Sequence, residues 1–174
     1  YAYVSEAQLQ QRYQNLKNQI TEPFYSLLET TKLYQQLVSS LNNGHTEIDF
    51  PAASYFKYAE SGGTLFPLEI TLEDNKAFVR ANYSKNSSIV KGAELIKING
   101  ESIHTILKSI YPLISAERQY LKNAKLEIYT LPRYYWYAFG RQDNFVVTIR
   151  NDDSVSQYNI EAIIISNTTD KNRE

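Results

Sequence analysis

The stretch Gly92–Ile103, GAELIKINGESI, decides the predicted fold. Its segment AELIKI has the two-residue period of a β-strand, and Asn99-Gly100 favours a tight hairpin turn. Isoleucine and leucine at positions 103, 106, 107 and 110 then follow the period of a helix, over about 103–114. A strand, a tight turn and a helix in direct succession indicate a mixed α/β unit.

Further strands are predicted on both sides of this stretch. LFPLEITL and KAFVRANY precede it and are joined by the turn Glu73-Asp74-Asn75-Lys76. FVVTIR and SQYNIEAIII follow it and are joined by Asn151-Asp152-Asp153. Between the two groups, residues 116–137 are predicted to be helical, up to a stop at Gly140. The unit therefore has about five or six strands.

The N-terminal part of the chain predicts a helical hairpin. Leu9, Tyr13, Leu16 and Ile20 form one apolar stripe of a helix over 5–20, which Ser5 could cap. A second helix is predicted from Pro23 to about Leu41, ended by Asn42-Asn43-Gly44. In the segment that follows, TEIDF alternates like a short strand, and YFKYAESGG has the composition of a loop.

The predicted class is α+β. The expected organisation is an N-terminal helical segment over 1–45, a linker over 46–63, and an α/β domain over 64–165 with a helical insertion at 103–140. Residues 166–174, polar and charged, are expected to form a disordered tail.

Composition excludes several classes of protein. The net charge of −1 gives no strong field to attract nucleic acid, and no apolar run approaches the length of a membrane span. The chain has no cysteine, and its two histidines are far apart in sequence, so we expect no metal site. Glycine motifs that bind phosphate are also absent, and no cofactor is predicted. Because the chain has no methionine, we interpret it as a piece of a longer protein, whose signal peptide could lie elsewhere.

The candidate catalytic residue is His45, in the segment LNNGHTEI. An imidazole can serve as the general base of a serine nucleophile, but no serine here stands in a recognisable nucleophile motif. The residues alone leave two interpretations open: a catalytic histidine, or a turn residue beyond a helix stop.

Three motifs together resemble the front part of S41 peptidases, the tail-specific and tricorn-like serine peptidases of bacteria. They are Gly44-His45-Thr46 after a helical segment, the pattern G-x-x-L-I-x-I-N-G over 92–100, and the aromatic run YYWYAFG followed by FVVTI. The second is similar to the strand and turn of a PDZ-like domain. The resemblance implies a helical segment, a PDZ-like peptide-binding module, and a catalytic domain that supplies the serine and would begin after this chain.

What the resemblance implies for function is a non-catalytic front portion, which presents or gates peptide substrate for that domain. His45 matches a histidine that acts as general base in tricorn-like members, whereas tail-specific members use a serine–lysine pair, in which case His45 would be structural. Related sequences often have Asp at position 43 and tricorn has Ser at position 44, where this chain has Asn43 and Gly44. A periplasmic, outer-membrane-associated or secreted location is expected.

The resemblance also implies a peptide site in GGTLFPLEI, with Leu65, Phe66 and Leu68 as its apolar pocket. Pro67 stands where a glycine is usual and has no N–H to donate, and Ala93 replaces a common aspartate. The alternative is therefore a PDZ-like adaptor that binds peptides or proteins without peptidase activity. A third interpretation is a structural domain of an assembly, with YYWYAF as its interface.

Overall fold

A six-stranded antiparallel sheet lies at the centre of the structure, a computed structural model that describes residues 4–164. Its order is β2-β3-β4-β6-β7, with the short β5 paired to β4. The bounds are β2 Leu68–Glu73, β3 Lys76–Asn82, β4 Glu94–Ile98, β5 Glu101–Ser102, β6 Asn144–Asn151 and β7 Ser154–Glu161. The predicted α+β class is confirmed. The predicted tail over 166–174 lies outside the described residues.

Strand β4 carries the stretch that decides the fold. It pairs with β3 on one side and with β6 on the other, and both Leu95 and Ile98 are completely buried. Asn99 and Gly100 both have positive φ, 51° and 84°, as the tight turn into β5 requires. The Asn99 side chain accepts from the Val146 amide at 2.8 Å and donates to the Gln142 side chain at 2.7 Å. The predicted turn therefore also attaches β4 to the start of β6.

The helices between β4 and β6 cover one side of the sheet. They are α4 Ile103–Ile110, a 3-10 helix Tyr111–Leu113, α5 Gln119–Tyr129 and α6 Leu131–Phe139. The single helix predicted over 116–137 is in fact two, because Thr130 has a φ of 71° and interrupts it. α6 buries most of the aromatic run, including Tyr135, Trp136 and Tyr137, so the run belongs to the core.

The N-terminal hairpin consists of α1 Glu6–Gln19 and α2 Leu27–Ser39. Capping boxes begin both helices: Ser5 with Gln8, as predicted for the first cap, and Ser26 with Glu29, so α2 starts after the predicted Pro23. Only Leu16 of the predicted apolar stripe is buried. The other stripe residues, Leu9, Tyr13 and Ile20, remain exposed, since the contacts of α1 are mainly with α2 and leave these side chains uncovered.

The segment predicted as a linker contains a helix, α3 Ala52–Glu60. The ring of Trp136 stacks on Tyr58 and meets Tyr55 edge-on, each at 5.2 Å between centroids, so aromatic contacts hold α3 on α6. The strand predicted in TEIDF does not form, since Phe50 and its neighbours lie in an irregular loop.

The predicted strand LFPLEITL is divided at Phe66-Pro67. Thr64–Leu65 forms β1, which pairs with β8, Ile163–Ile164, as a separate two-stranded sheet, and β2 begins only at Leu68. Proline lacks the N–H that a continuous ladder needs, which accounts for the break.

We expect Asn99→Ala and Asn75→Ala both to lower the free energy of unfolding. The loss should be greater in Asn99→Ala by about 1–2 kcal/mol. Asn75 also has a positive φ, in the β2–β3 turn, but its side chain forms no hydrogen bond within residues 4–164. Comparison of the two variants therefore separates the effect of turn conformation from the effect of the Asn99 side-chain hydrogen bonds. Urea unfolding followed by circular dichroism measures both, and equal losses would contradict the role given to the Asn99 amide.

Candidate functional site

The candidate site is the loop that follows α2 and carries His45. Asn42 takes a left-handed φ of 53° and turns the chain, and the Asn43 side chain accepts from the His45 amide at 2.9 Å. The Gly44 amide donates to the Glu117 carboxylate at 2.8 Å. The His45 side chain is exposed, so its ring is open to solvent on a backbone that is fixed on both sides.

The amide of Gln35 fixes the far end of this loop. Gln35 lies on α2 and is only 2% exposed. Its oxygen accepts from the Ile48 amide at 2.8 Å, and its nitrogen donates to the Ser115 hydroxyl at 3.1 Å. Ser39, one turn further along α2, donates to the Pro112 carbonyl at 2.6 Å. The loop is thus joined both to α2 and to the segment after α4.

Glu117 is the acidic group of the site. The Gly44 N–H that it accepts is the largest of the effects that lower the pKa of the Glu117 carboxyl, and the charges of His45 and Lys125 lower it further. A methyl group on Gly44 would lie 2.9 Å from a Glu117 oxygen, so the carboxylate occupies the space that a larger residue would need. Glycine at position 44 fits this close approach.

Sequence reasoning missed Glu117. The resemblance to related peptidases drew attention to an acid near His45 only at position 43, whereas the carboxylate that reaches this loop lies 73 residues after Gly44. No periodicity or motif places Glu117 near Gly44, because the contact depends on how α2 packs against the 3-10 helix.

Neither histidine has a serine partner within residues 4–164. His45 forms no side-chain hydrogen bond there, and His104 is exposed on the first turn of α4. Ser115 has its hydroxyl on Gln35 and is completely buried. The same residues hold no cluster of groups suited to a metal ion, and no helix among them could span a bilayer. The role of His45 stays a prediction.

The predicted peptide pocket lies inside the core. Leu65, Phe66 and Leu68 are at most 4% exposed, and the Phe66 ring packs on Tyr135 and Phe145. A peptide could reach these side chains only if the core around them opened. Their assignment to peptide binding therefore stays a prediction.

The amides before this pocket already have partners. Gly62 donates to Ala59, Gly63 donates to the Tyr58 carbonyl, and Thr64 donates to the Tyr58 hydroxyl at 2.8 Å. A terminal carboxylate would need free N–H groups, so this loop, as folded, has none to offer at these positions.

Comparison with solved structures finds CPAF, a chlamydial serine protease. Mature CPAF complexed with lactacystin matches with a TM-score of 0.58 and 12% identity, over 87% of this chain and 28% of that one. A CPAF mutant matches with the same score and 13% identity, over 92% of this chain and 30% of its own.

The fold of this chain is similar to that of part of CPAF. No protein-family model and no curated protein matches the sequence. The chain spans less than a third of the CPAF chains that it resembles, and at this identity the likeness concerns the fold alone.

We expect Gln35→Leu to lower the free energy of unfolding by roughly 1–3 kcal/mol, because the Ile48 amide and the Ser115 hydroxyl both lose their partner. Hydrogen exchange of the amides over 45–49 should accelerate, and the loss of protection, expressed as a free energy, should be of similar size. Gln36→Leu is the matched control, since this neighbour has no side-chain hydrogen bond within residues 4–164. Equal protection of the loop amides in both variants would contradict the role given to the Gln35 side chain.

The Glu117–Gly44 bond should weaken in acid. The pKa of Glu117 in the folded protein lies below the ordinary value of 4.5. The hydrogen bond therefore stabilises the fold fully at a pH above 4.5, and this stabilisation is lost as the pH falls through the pKa of the folded state. We expect the Gly44 amide proton to titrate in NMR spectra with an apparent pKa below 4.5, and Glu117→Gln to abolish the titration. Glu127→Gln, which alters a carboxylate bonded to Leu72, should leave it unchanged.

Proposed function

We propose that this chain is the non-catalytic front portion of an S41-type serine peptidase, which presents or gates peptide substrate for a catalytic domain elsewhere in a longer polypeptide. The observation that carries the proposal is the likeness to CPAF, which extends over about nine-tenths of this chain but under a third of CPAF. A protein or peptide substrate is consistent with such a fold. The location that this role implies, the periplasm, outer membrane or exterior, stays a prediction.

His45 is the residue through which this portion would take part in the chemistry. Its ring is exposed, and the hydrogen bonds that the His45 amide donates to Asn43 and the Gly44 amide donates to Glu117 fix the backbone on which it stands. A general base must reach a hydroxyl on another element, so an exposed ring on a fixed backbone suits the role.

A second candidate function is a peptide- or protein-binding adaptor of PDZ-like type without peptidase activity. The outer edge of β7 favours it: Ser154–Glu161 pairs with β6 on one side and with no other strand among residues 4–164. Such an edge can accept an added strand from an extended peptide. The two functions share peptide binding and differ in whether His45 takes part in a reaction.

The test measures peptide hydrolysis by the complete polypeptide. We expect His45→Gln to lower kcat/KM by a factor of about 100 or more, the usual effect of removing a general base. His104→Gln is the matched control, because this second exposed histidine lies on α4 and should leave kcat/KM unchanged. Circular dichroism must show the same fold in all three proteins.

Two results would overturn the proposal in different ways. Full activity in His45→Gln would place the base elsewhere, as in a serine–lysine pair, and leave His45 structural. Peptide binding without hydrolysis in the unmodified polypeptide would support the adaptor instead.

A further inference from the structure

A cavity of about 240 Å³ lies between the loop 47–50 and α6, near His45 but apart from its ring. It is smaller than the roughly 300–1,000 Å³ typical of pockets for drug-sized ligands, so its natural occupant would be a small molecule. Its walls are partly apolar, from Ile114, Phe50 and Tyr134, and partly polar. The cavity has no part in the function proposed above, because His45, the proposed general base, does not line it.

Tyr137 is the first sign of a ligand. This residue lines the cavity, is 2% exposed, and has a hydroxyl that meets no hydrogen-bond partner. Burial raises the pKa of Tyr137 to about 12, so the hydroxyl keeps its proton and can donate. Buried polar groups without partners are rare in folded proteins because they lose their bonds to water. The hydroxyl has almost no accessible surface of its own, so an acceptor in the cavity would provide the missing bond once the Tyr137 ring shifts slightly toward it.

Arg133 is the second sign. Its guanidinium lies over the rings of Phe50 and Tyr55, 5.4 and 5.2 Å from the centroids, and both contacts orient its plane. Within residues 4–164 it has no carboxylate partner. Stacked guanidinium groups retain donors along their edge, which bind a carboxylate in pairs. The cavity therefore has a cation, Arg133, and a neutral hydrogen-bond donor, the Tyr137 hydroxyl, on neighbouring turns of α6.

The acidic side of the cavity narrows the choice of ligand. Glu47 is already neutralised by Lys125 at 2.7 Å, whereas Asp49 forms no ion pair with any residue in the described range. The lining thus contains one unpaired cation, Arg133, and one unpaired anion, Asp49, which do not pair with each other. Asp49 is exposed to solvent, so a ligand that carries both charges would place its anion on Arg133 and its cation at this solvated carboxylate.

We infer that this cavity binds a small zwitterion of the α-amino acid class, with an apolar side chain. Its carboxylate would accept from Arg133 and from the Tyr137 hydroxyl, and its ammonium group would face Asp49. Its side chain would pack on Ile114, Phe50 and Tyr134. The inference goes beyond the proposed peptidase role and does not depend on it.

The experiment titrates the full chain with L-leucine and L-phenylalanine by calorimetry and NMR. We expect binding with a Kd in about the micromolar to millimolar range. Leucinamide lacks the carboxylate and 4-methylpentanoate lacks the ammonium group, so both should bind at least about tenfold more weakly than leucine. Peptides that end in leucine, titrated in the same way, show whether the cavity binds the C-terminus of a peptide or the free amino acid.

Two variants test the site against a merely structural role. Arg133→Lys should weaken binding about tenfold or more, because a point charge cannot replace the paired donors. Tyr137→Phe should weaken binding yet keep or raise the melting temperature of the ligand-free protein, since it removes a hydroxyl that has no partner. Tyr34→Phe, on the exposed face of α2, is the control and should change neither.

Three outcomes would overturn the inference. The first is no binding of either amino acid at about 10 mM. The second is binding that neither Arg133→Lys nor Tyr137→Phe weakens. The third is binding of the peptides without binding of the free amino acids, which would make the cavity a site for peptide ends. Loss of hydrolysis in His45→Gln bears on none of these, so the two proposals fail separately.

Discussion

Strand β4 must satisfy two partners that come from different parts of the chain, and the other elements are arranged around that requirement. β3 reaches it through a local connection, while β6 arrives only after the helices α4 to α6. Asn99 joins the end of β4 to the start of β6 with both atoms of its side-chain amide. Since β4 is buried and paired on both edges, a shift of one residue in its register would expose Leu95 and Ile98 and bury their polar neighbours.

The site depends on a second polar group, Gln35, which is as buried as the apolar core. Its amide connects α2, the loop that carries His45, and Ser115. A buried amide is tolerated only when its oxygen and nitrogen have partners, and here both do. Because hydrogen bonds require particular distances and directions, Gln35 sets the position of the loop more narrowly than apolar packing would. The cavity beside that loop takes part of its wall from the same residue.

Local chemistry made much of the fold predictable, since the helix cap at Ser5, the turn at Asn99-Gly100 and the alternation of the strands all act over a few residues. The errors arose where distant contacts decide. α3 has loop-like composition and is helical because Tyr55 and Tyr58 pack on Trp136. His45 stands out in the sequence as a candidate, whereas Glu117 does not, because only the packed chain brings Glu117 to Gly44. Leu65, Phe66 and Leu68 were correctly identified as apolar, yet the same property places them in the core.

The helical insertion also sets the order in which the sheet can form. Pairing Ile98 with Val147 closes a loop of about fifty residues, whereas the β2–β3 and β6–β7 hairpins close over two-residue turns. Loop closure costs entropy that rises with length, so the hairpins are kinetically favoured and the β4–β6 ladder follows once α4 to α6 have shortened the gap between its strands. Until then one edge of β4 is unpaired and its apolar side chains are uncovered, so we expect the folding chain to be most prone to associate with other copies at that stage.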